Sequence, residues 1–413
     1  MPGPDPDALL ERFATLPAAG PLLARLRDVD DVYLVGGAVR DLLLGGMPVD
    51  LDLVVDGELE PVAALLGTPA RSHDRFATCT VVLNGFSYDL ARARRETYAR
   101  PGALPTVGPA TIDTDLLRRD FTVNALALGL GGRCRGRLVQ APGAVRDLQE
   151  RALRVLHDAS FRDDPTRLLR LARYRSRLGF AVEEHTRALA ATAIAAGALG
   201  TVTGARVGTE LRLLAAEADP VGGFRALAEL GADGAIATGF GIRTPEAADL
   251  ANRALSLLPV DGDPGAVVLA VAARGVDLGR LRALLDGLAF PAGQRDAILA
   301  AVGHAPGLAQ ALSAAERPSQ IAAAVGGLPV EAVALAGALG AEPAARRWLD
   351  TLRHVRLDID GQDLLDAGIP RGPRVGAGLA AALAAKLDGQ ASGHDAELVE
   401  ALRSAEGGSA APR

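Results

Sequence analysis

The sequence predicts an α+β protein, with a mixed β-sheet confined to an N-terminal head and an all-helical remainder. Strand-like runs and one clear hairpin occur before residue 151. Beyond it, apolar residues recur at helical spacing, with Gly and Pro between them. Composition agrees: 49% of the 413 residues are hydrophobic but only 3% aromatic, and alanine and leucine dominate. A chain this long exceeds a single core. The domains expected are 1–150, 151–218, 219–340 and 341–413.

Within the head, residues 8–28 read as a helix, with Leu9, Leu10, Phe13, Leu16, Leu22, Leu23 and Leu26 near helical spacing despite a Pro-Ala-Ala-Gly interruption. "DVYLVGG" from Asp31 is a short buried strand ending in two glycines, and "AVRDLLLGG" is a short helix stopped by Gly45 and Gly46. "PVDLDLVVDG" from Pro48 is a strand that carries two aspartates one pleat apart. Asp50 and Asp52 share one face, while Leu51 and Leu53 share the other. In "CTVVLNGFSYDLARA", Asn84-Gly85 is the signature of a type I′ turn, and the second strand points Ser87, Asp89 and Ala91 away from Phe86, Tyr88 and Leu90. Residues 95–115 read as a long loop, "LLRRDFTVNALAL" as a helix, and Leu138–Val139 as a closing strand. A succession of helices follows, among them 163–178, 204–217, 292–304, 307–313 and 374–386, and the terminal "AEGGSAAPR" is expected to be disordered.

The N-terminus shows no leader pattern and no run of about 18 uncharged apolar residues occurs, so the expectation is a cytoplasmic protein with no membrane partner. Cys79 and Cys134 stand alone and suggest neither a disulfide framework nor a zinc site. The net charge of −6 hides a segregation. Residues 89–180 hold 18 arginines against 10 acids, a local +8 that leaves −14 for the rest. Local basic charge of this kind suits phosphate. Lys386 is the only lysine, which fits either bidentate phosphate contacts or a coding bias toward arginine.

Gly36-Gly37 lies between a strand and a helix, where the absence of Cβ lets backbone N–H groups approach a phosphate. Neither G-x-G-x-x-G nor a Walker lysine accompanies it. Arg40, on the following helix, could reach a triphosphate or pair on the helix surface. A glycine pair followed by Asp50-x-Asp52 suits nucleotidyl transfer, which needs positioned phosphates, neutralised charge and a metal-activated hydroxyl. Two carboxylates on one strand face can hold two Mg²⁺ roughly 3.5–4 Å apart, with Asp89 on the hairpin as the third.

In order along the chain, "YLVGGAVRDLLLG…DLDLVV", "LLRRDFTVNALAL" and "LRVLHDASFRDDPTRLLRLARYRSRLGF" resemble the class II tRNA nucleotidyltransferase and bacterial poly(A) polymerase family; "DLARARRETYARPGALP" is similar to its longer bacterial branch. The resemblance is dense over 31–212, with a weaker echo in "DIDGQDLLDAGIPRGPRVGAGL". It implies a nucleotidyltransferase head with helical neck, body and tail. It also implies catalysis by Asp50, Asp52 and Asp89, with Asp50 and Asp52 as ligands of two Mg²⁺, and triphosphate contacts by Gly36, Gly37 and Arg40. In "RRDFTVNA", Arg118 and Arg119 precede Asp120 and Asn124, which four-residue spacing puts on one helical face; the resemblance gives phosphate to Arg119 and the ribose to Asp120 and Asn124.

The family's base-reading Glu-Asp-x-x-Arg reads here Asp163-Asp164-Pro165-Thr166-Arg167. On a helix, Asp164 and Arg167 would fan out as a base-pairing edge. The carboxylate would accept from the amino group of C or A, while U or G would set acceptor against acceptor. The alternative for Asp164 is an N-cap before Pro165. Asp163 replaces the usual glutamate, and Ala205-Arg206 stands where the neck commonly has Glu-Arg. Arg170 is grouped with the nucleotide contacts; with Arg173, Arg175 and Arg177 it could also line the path of a tRNA acceptor stem. The partners implied are tRNA (acceptor stem and 3′ end), CTP and ATP. Full CCA addition, A-only, CC-only or poly(A) activity, and a non-catalytic tRNA-binding homologue, all stay open at this point.

Overall fold

The computed structural model describes residues 6–48, 50–67, 69–73 and 78–407. The chain divides into two compact units, Met1–Glu210 with Leu230–Ala235, and Leu211–Glu229 with Ile236–Arg413.

The first unit opens with α1 (Pro6–Ala14) and α2 (Ala19–Leu26); the turn at Pro17 splits the single helix expected over 8–28. Among the described residues its sheet has seven strands: β1 (Val32–Val35), β2 (Asp52–Val55), β3 (Pro69–His73), β4 (Thr78–Leu83), β5 (Phe86–Arg92), β8 (Leu126–Gly129) and β9 (Leu138–Gln140), in the order β3-β4-β5-β2-β1-β8-β9. β1 is antiparallel to β2 and β8, whereas β2 runs parallel to β5. The β4–β5 hairpin turns at Asn84 (φ 51°) and Gly85 (φ 83°), as the type I′ signature requires. Helix α3 (Gly37–Leu43) follows β1, and α4 (Leu59–Leu66) follows β2.

Two further segments of the head differ from the sequence reading. Residues 95–115 are not one loop: β6 (Arg94–Thr97) and β7 (Thr106–Pro109) pair as a separate antiparallel ribbon before α5 (Ile112–Leu117). Its first strand holds three consecutive charged residues, Arg94, Arg95 and Glu96, and no apolar side chain, so hydrophobic periodicity cannot report it. "LLRRDFTVNALAL" is not one helix either. α5 stops at Leu117, Thr122–Asn124 forms a single 3₁₀ turn, and Leu126–Gly129 is the fully buried β8. Pairing on both sides in the sheet outweighs the helix preference of alanine and leucine there.

Beyond the sheet come α6 (Ala144–Gln149), α7 (Ser160–Asp163), α8 (Arg167–Leu178), α9 (Glu184–Ala195) and α10 (Gly204–Ala215), with β10 (Ala152–Leu153) pairing in parallel with β11 (Ala181–Val182). The helix expected over 163–178 is therefore two, broken at Asp164, whose backbone is extended (φ −131°, ψ 92°).

The second unit is helical among the described residues, running from α11 (Pro220–Glu229) through α13 (Pro245–Leu257), α14 (Pro264–Ala272), α15 (Leu278–Gly287), α16 (Ala292–Ala314), α17 (Pro318–Val325), α18 (Val330–Ala336), α19 (Glu342–Asp350), α20 (Gly361–Asp366) and α21 (Pro373–Leu387) to α22 (His394–Gly407). α12 (Ala232–Ile236) and α22 are absent from the sequence reading. α16 runs unbroken through Pro306, where two helices were expected. Ile298, Leu299, Ala301, Ala305, Leu308 and Leu312 are buried on both sides of the proline, and this packing overrides the breaker. By itself α16 is long and apolar enough to cross a membrane, and it packs against α14, α15, α17 and α18. Of the tail expected to be disordered, 405–407 close α22, and 408–413 lie outside the described residues.

Candidate active site

The parallel pairing of β2 with β5 sets Asp52 directly opposite Asp89. Pleat alternation then puts both on the same face as Val54 and Ala91. Asp50 is exposed just before β2. Thr80, opposite Asp89 on β4, donates its hydroxyl to Asp89 Oδ1 at 2.6 Å. Burial pushes the Asp52 carboxyl up, the charge on Asp89 pushes it further, Arg119 opposes, and Asp50 adds to the rise. Crowded carboxylates of this kind are hard oxygen donors whose mutual repulsion a divalent cation relieves. Among the described residues no three His, Cys, Asp or Glu side chains converge into a finished cage. A site open to substrate oxygens suits Mg²⁺, which keeps waters and phosphates in its shell and favours few protein carboxylates.

Gly36 sits at φ 70°, ψ −130°, a conformation open to glycine, and its N–H donates to Leu126 O at 2.9 Å. A Cβ there would lie 2.9 Å from Arg119 Nη1. Arg119 Nη2 pairs with Asp115 at 3.0 Å, and its Nε is buried without a partner. Arg118 grips the other Asp115 oxygen at 2.7 Å and Glu96 Oε1 at 2.9 Å. Burial alone would raise the Asp115 carboxyl, but Arg119 and Arg118 outweigh it and hold it below its ordinary range.

Arg40, expected at a triphosphate, is instead buried at 2% exposure. Its Nε and Nη2 bond Asp41 Oδ1 and its Nη1 donates to Asn124 Oδ1 at 2.6 Å. Asn124 Nδ2 in turn donates to Asp120 Oδ1 at 3.0 Å. Asp120 and Asn124 meet through the turn after α5, on no common helix. Asp120 Oδ1 also accepts from Phe121 N, and Oδ2 takes Arg170 Nε and Nη2 at 2.9 and 2.5 Å. Four donors thus fill this carboxylate. Burial would raise it, yet Arg170 and Asn124 bring it down to about 2. Glu210 on α10 binds Arg170 Nη1 at 3.3 Å and Arg173 Nη2 at 3.2 Å. The guanidinium carbons of Arg40, Arg170 and Arg173 all lie 5.4–5.6 Å from the ring centre of Tyr174, which meets Phe121 edge-on at 5.8 Å. Arg170 and Arg173 therefore turn into this network rather than out toward an acceptor stem.

Asp164 occupies the break between α7 and α8. Its Oδ1 accepts from Thr166 N (3.1 Å), Thr166 Oγ1 (2.6 Å) and Arg206 Nη2 (2.7 Å). The N-cap of α8 is Thr166 rather than Asp164, so these bonds close the turn ahead of the helix, and they use one oxygen of Asp164 only. Arg167 is buried, with Nη1 on Ser160 Oγ and Nη2 on Arg118 O. Asp163 pairs with Arg162 at 3.6 Å.

Two cavities meet at this centre. One, of about 430 Å³, has an apolar floor of Val35, Val54, Leu90 and Ala91 with Asp89, Thr78, Thr80 and Arg94 at its sides. The other, of about 340 Å³, brings Gly36, Gly37, Asp120, Asn124, Asp164, Arg167 and Arg170 together with Glu96, Tyr98 and Tyr174. Asp52, Arg118 and Arg119 line both. Asp50, Arg40 and Asp163 line neither. Sequence reasoning missed Thr80, Glu96, Tyr98, Asp115 and Tyr174. The i, i+3 and i, i+4 spacing of Asp115 with Arg118 and Arg119 was the one signal that could have exposed a member of this set.

Residues 32–154 match the poly(A) polymerase head domain. Over 224 residues the chain is 42% identical to the A-adding tRNA nucleotidyltransferase of Geobacter sulfurreducens, a match covering 51% of this chain and 26% of that protein. It is 47% identical to the CC-adding tRNA nucleotidyltransferase of Deinococcus radiodurans over 36% of this chain and 41% of the relative. Each match thus spans less than half of the relative's length. Among solved structures, the Thermotoga maritima CCA-adding enzyme complexed with tRNA superposes with a TM-score of 0.78 at 30% identity, covering 98% of this chain and 100% of the other. Sheet head, helical remainder, motif order and full-length superposition agree: the chain belongs to the tRNA nucleotidyltransferase family built on the poly(A) polymerase head domain.

Proposed function

We propose that this protein extends the 3′ end of tRNA without a template, adding CMP and AMP from CTP and ATP and releasing pyrophosphate. The observation that carries the reading is the pair of cavities joined at Asp52, Arg118 and Arg119. The cavity with the glycine turn, Arg170 and the Asp164–Arg167 pair takes the nucleoside triphosphate. The cavity beside Asp89 takes the RNA end. Its 3′-oxygen then bonds to the α-phosphorus, the bond from that phosphorus to the pyrophosphate oxygen breaks, and Asp89 is placed to receive the hydroxyl proton.

Asp50 and Asp52, with Asp89 beside them, would hold two Mg²⁺. Bound there, the ions would activate the hydroxyl and neutralise triphosphate charge. Arg119 brings an unpartnered buried N–H to the site, suited to a phosphate oxygen. Asp164 keeps one oxygen for an exocyclic amino group. C and A offer that donor, whereas U and G offer a carbonyl.

The assay is CTP or ATP incorporation into tRNA ending at the discriminator base, after CC, or complete. Full CCA addition appears as three added nucleotides on the first substrate. Addition of A to the CC-ending substrate alone would give the A-adding reading that the G. sulfurreducens similarity favours, and arrest after two residues the CC-adding one. No incorporation on any substrate would refute nucleotidyl transfer and leave a non-catalytic tRNA-binding protein.

A further inference from the structure

We infer that Arg206 is a specificity-determining positioning residue: it fixes the carboxylate of Asp164 so that one oxygen alone is left to read the base. The inference rests on Asp164 facing the nucleobase. A free aspartate turns broadly about χ2 and can offer either oxygen. Here Oδ1 is filled by Thr166 N, Thr166 Oγ1 and Arg206 Nη2, while Oδ2 has no partner among the described residues.

Arg206 reaches Asp164 from outside the nucleotide cavity, which it does not line. It lines instead a neighbouring cavity of about 410 Å³, shared with Asp164, Arg170, Ala205 and Glu210. Its bond to Asp164, which lines both cavities, is the link from Arg206 to a nucleotide. The neighbouring cavity offers Asp164 room to swing away from a mismatched carbonyl, and the Arg206 bond closes that route. The other hand of the guanidinium is anchored as well: Nη1 donates to Gly102 O at 3.2 Å, and Gly102 N donates to Arg162 O at 3.2 Å. Two directed bonds from one planar group hold Asp164 against a fixed main-chain point, and an ammonium cannot reproduce both.

The test compares wild type, R206A, R206K, D164A and the R206A/D164A double variant. The readouts are kcat/KM for CTP, ATP, UTP and GTP on tRNA lacking its 3′ nucleotides, and equilibrium binding of CTP and UTP without RNA. R206A should cut the preference for CTP over UTP about tenfold, the scale of one mismatched buried hydrogen bond. R206K should fall between R206A and wild type. In the double variant, discrimination should be no worse than in D164A alone, because Arg206 acts through that carboxylate. Unchanged discrimination in R206A, or a double variant that adds the full R206A effect to that of D164A, would overturn the proposal. If R206A does not fold, the discrimination ratio of R206K decides in the same way. A wild-type protein that incorporates no nucleotide defeats the proposed function, and the CTP-to-UTP binding ratio then still tests Arg206.

Discussion

At the scale of single residues, neighbours assign different work to carboxylates that look alike in sequence. Asp52 is exposed at the start of β2, opposite Asp89 and short of compensating charge, whereas Asp120 is buried and saturated by Arg170, Asn124 and a backbone N–H. Asp52→Ala should therefore reduce nucleotide incorporation by about three orders of magnitude or more while leaving the melting temperature near that of wild type, as loss of a reaction-centre charge does. Incorporation within tenfold of wild type would contradict the role of Asp52. Asp120 predicts a pH signature. Its folded pKa of about 2 lies below its ordinary value, so its contribution is complete above pH about 4 and is lost as pH falls toward 2. Asp120→Asn should destabilise the first unit by about 2 kcal/mol at pH 7, and the gap to wild type should close near pH 2 in denaturant titrations. A gap that stays constant with pH would contradict this assignment.

At the scale of elements, the sequence made visible what periodicity and turn chemistry control. The Asn84-Gly85 hairpin, the buried β1 and the placing of Asp89 on the strand face away from Tyr88 and Leu90 could all be read this way, whereas the pairing that sets Asp89 opposite Asp52 could not. The β6–β7 ribbon was hidden because Arg94, Glu96 and Tyr98 fold onto polar partners and carry no apolar stripe. β8 was hidden because "ALALG" suits helix and buried strand alike until its neighbours in the sheet are known. The break at Asp164 was foreshadowed by Pro165, yet Arg206, 42 residues downstream, could not be tied to Asp164 by spacing. The glycine turn between β1 and α3 carries its own prediction. Gly36→Ala forces φ 70° on an alanine and sets its Cβ against Arg119, which should cost about 1–3 kcal/mol and weaken ATP binding. Calorimetric binding together with thermal melts measures both. An alanine variant with wild-type stability and affinity would remove Gly36 from the site.

At the scale of the whole molecule, a continuous chain of contacts within the first unit links α3 and the turn after α5 to α8 and α10, Arg40–Asn124–Asp120–Arg170–Glu210–Arg173, wrapped around Tyr174. The chain is acidic overall, and its surplus of arginine falls within 89–180. RNA affinity should therefore depend on salt despite the net negative charge. It should fall by about tenfold or more between roughly 50 and 200 mM salt if several phosphates are contacted, as filter binding or fluorescence anisotropy would show. A flat response would argue against a phosphate-tracking surface. Template-free, base-selective nucleotidyl transfer is measured most directly by incorporation of single nucleotides into tRNA that lacks its 3′ end, with CTP, ATP, UTP and GTP offered separately. Extension is expected with CTP or ATP, little with UTP or GTP, and none with Asp52→Ala. Equal use of all four nucleotides, or extension that survives Asp52→Ala, would contradict it.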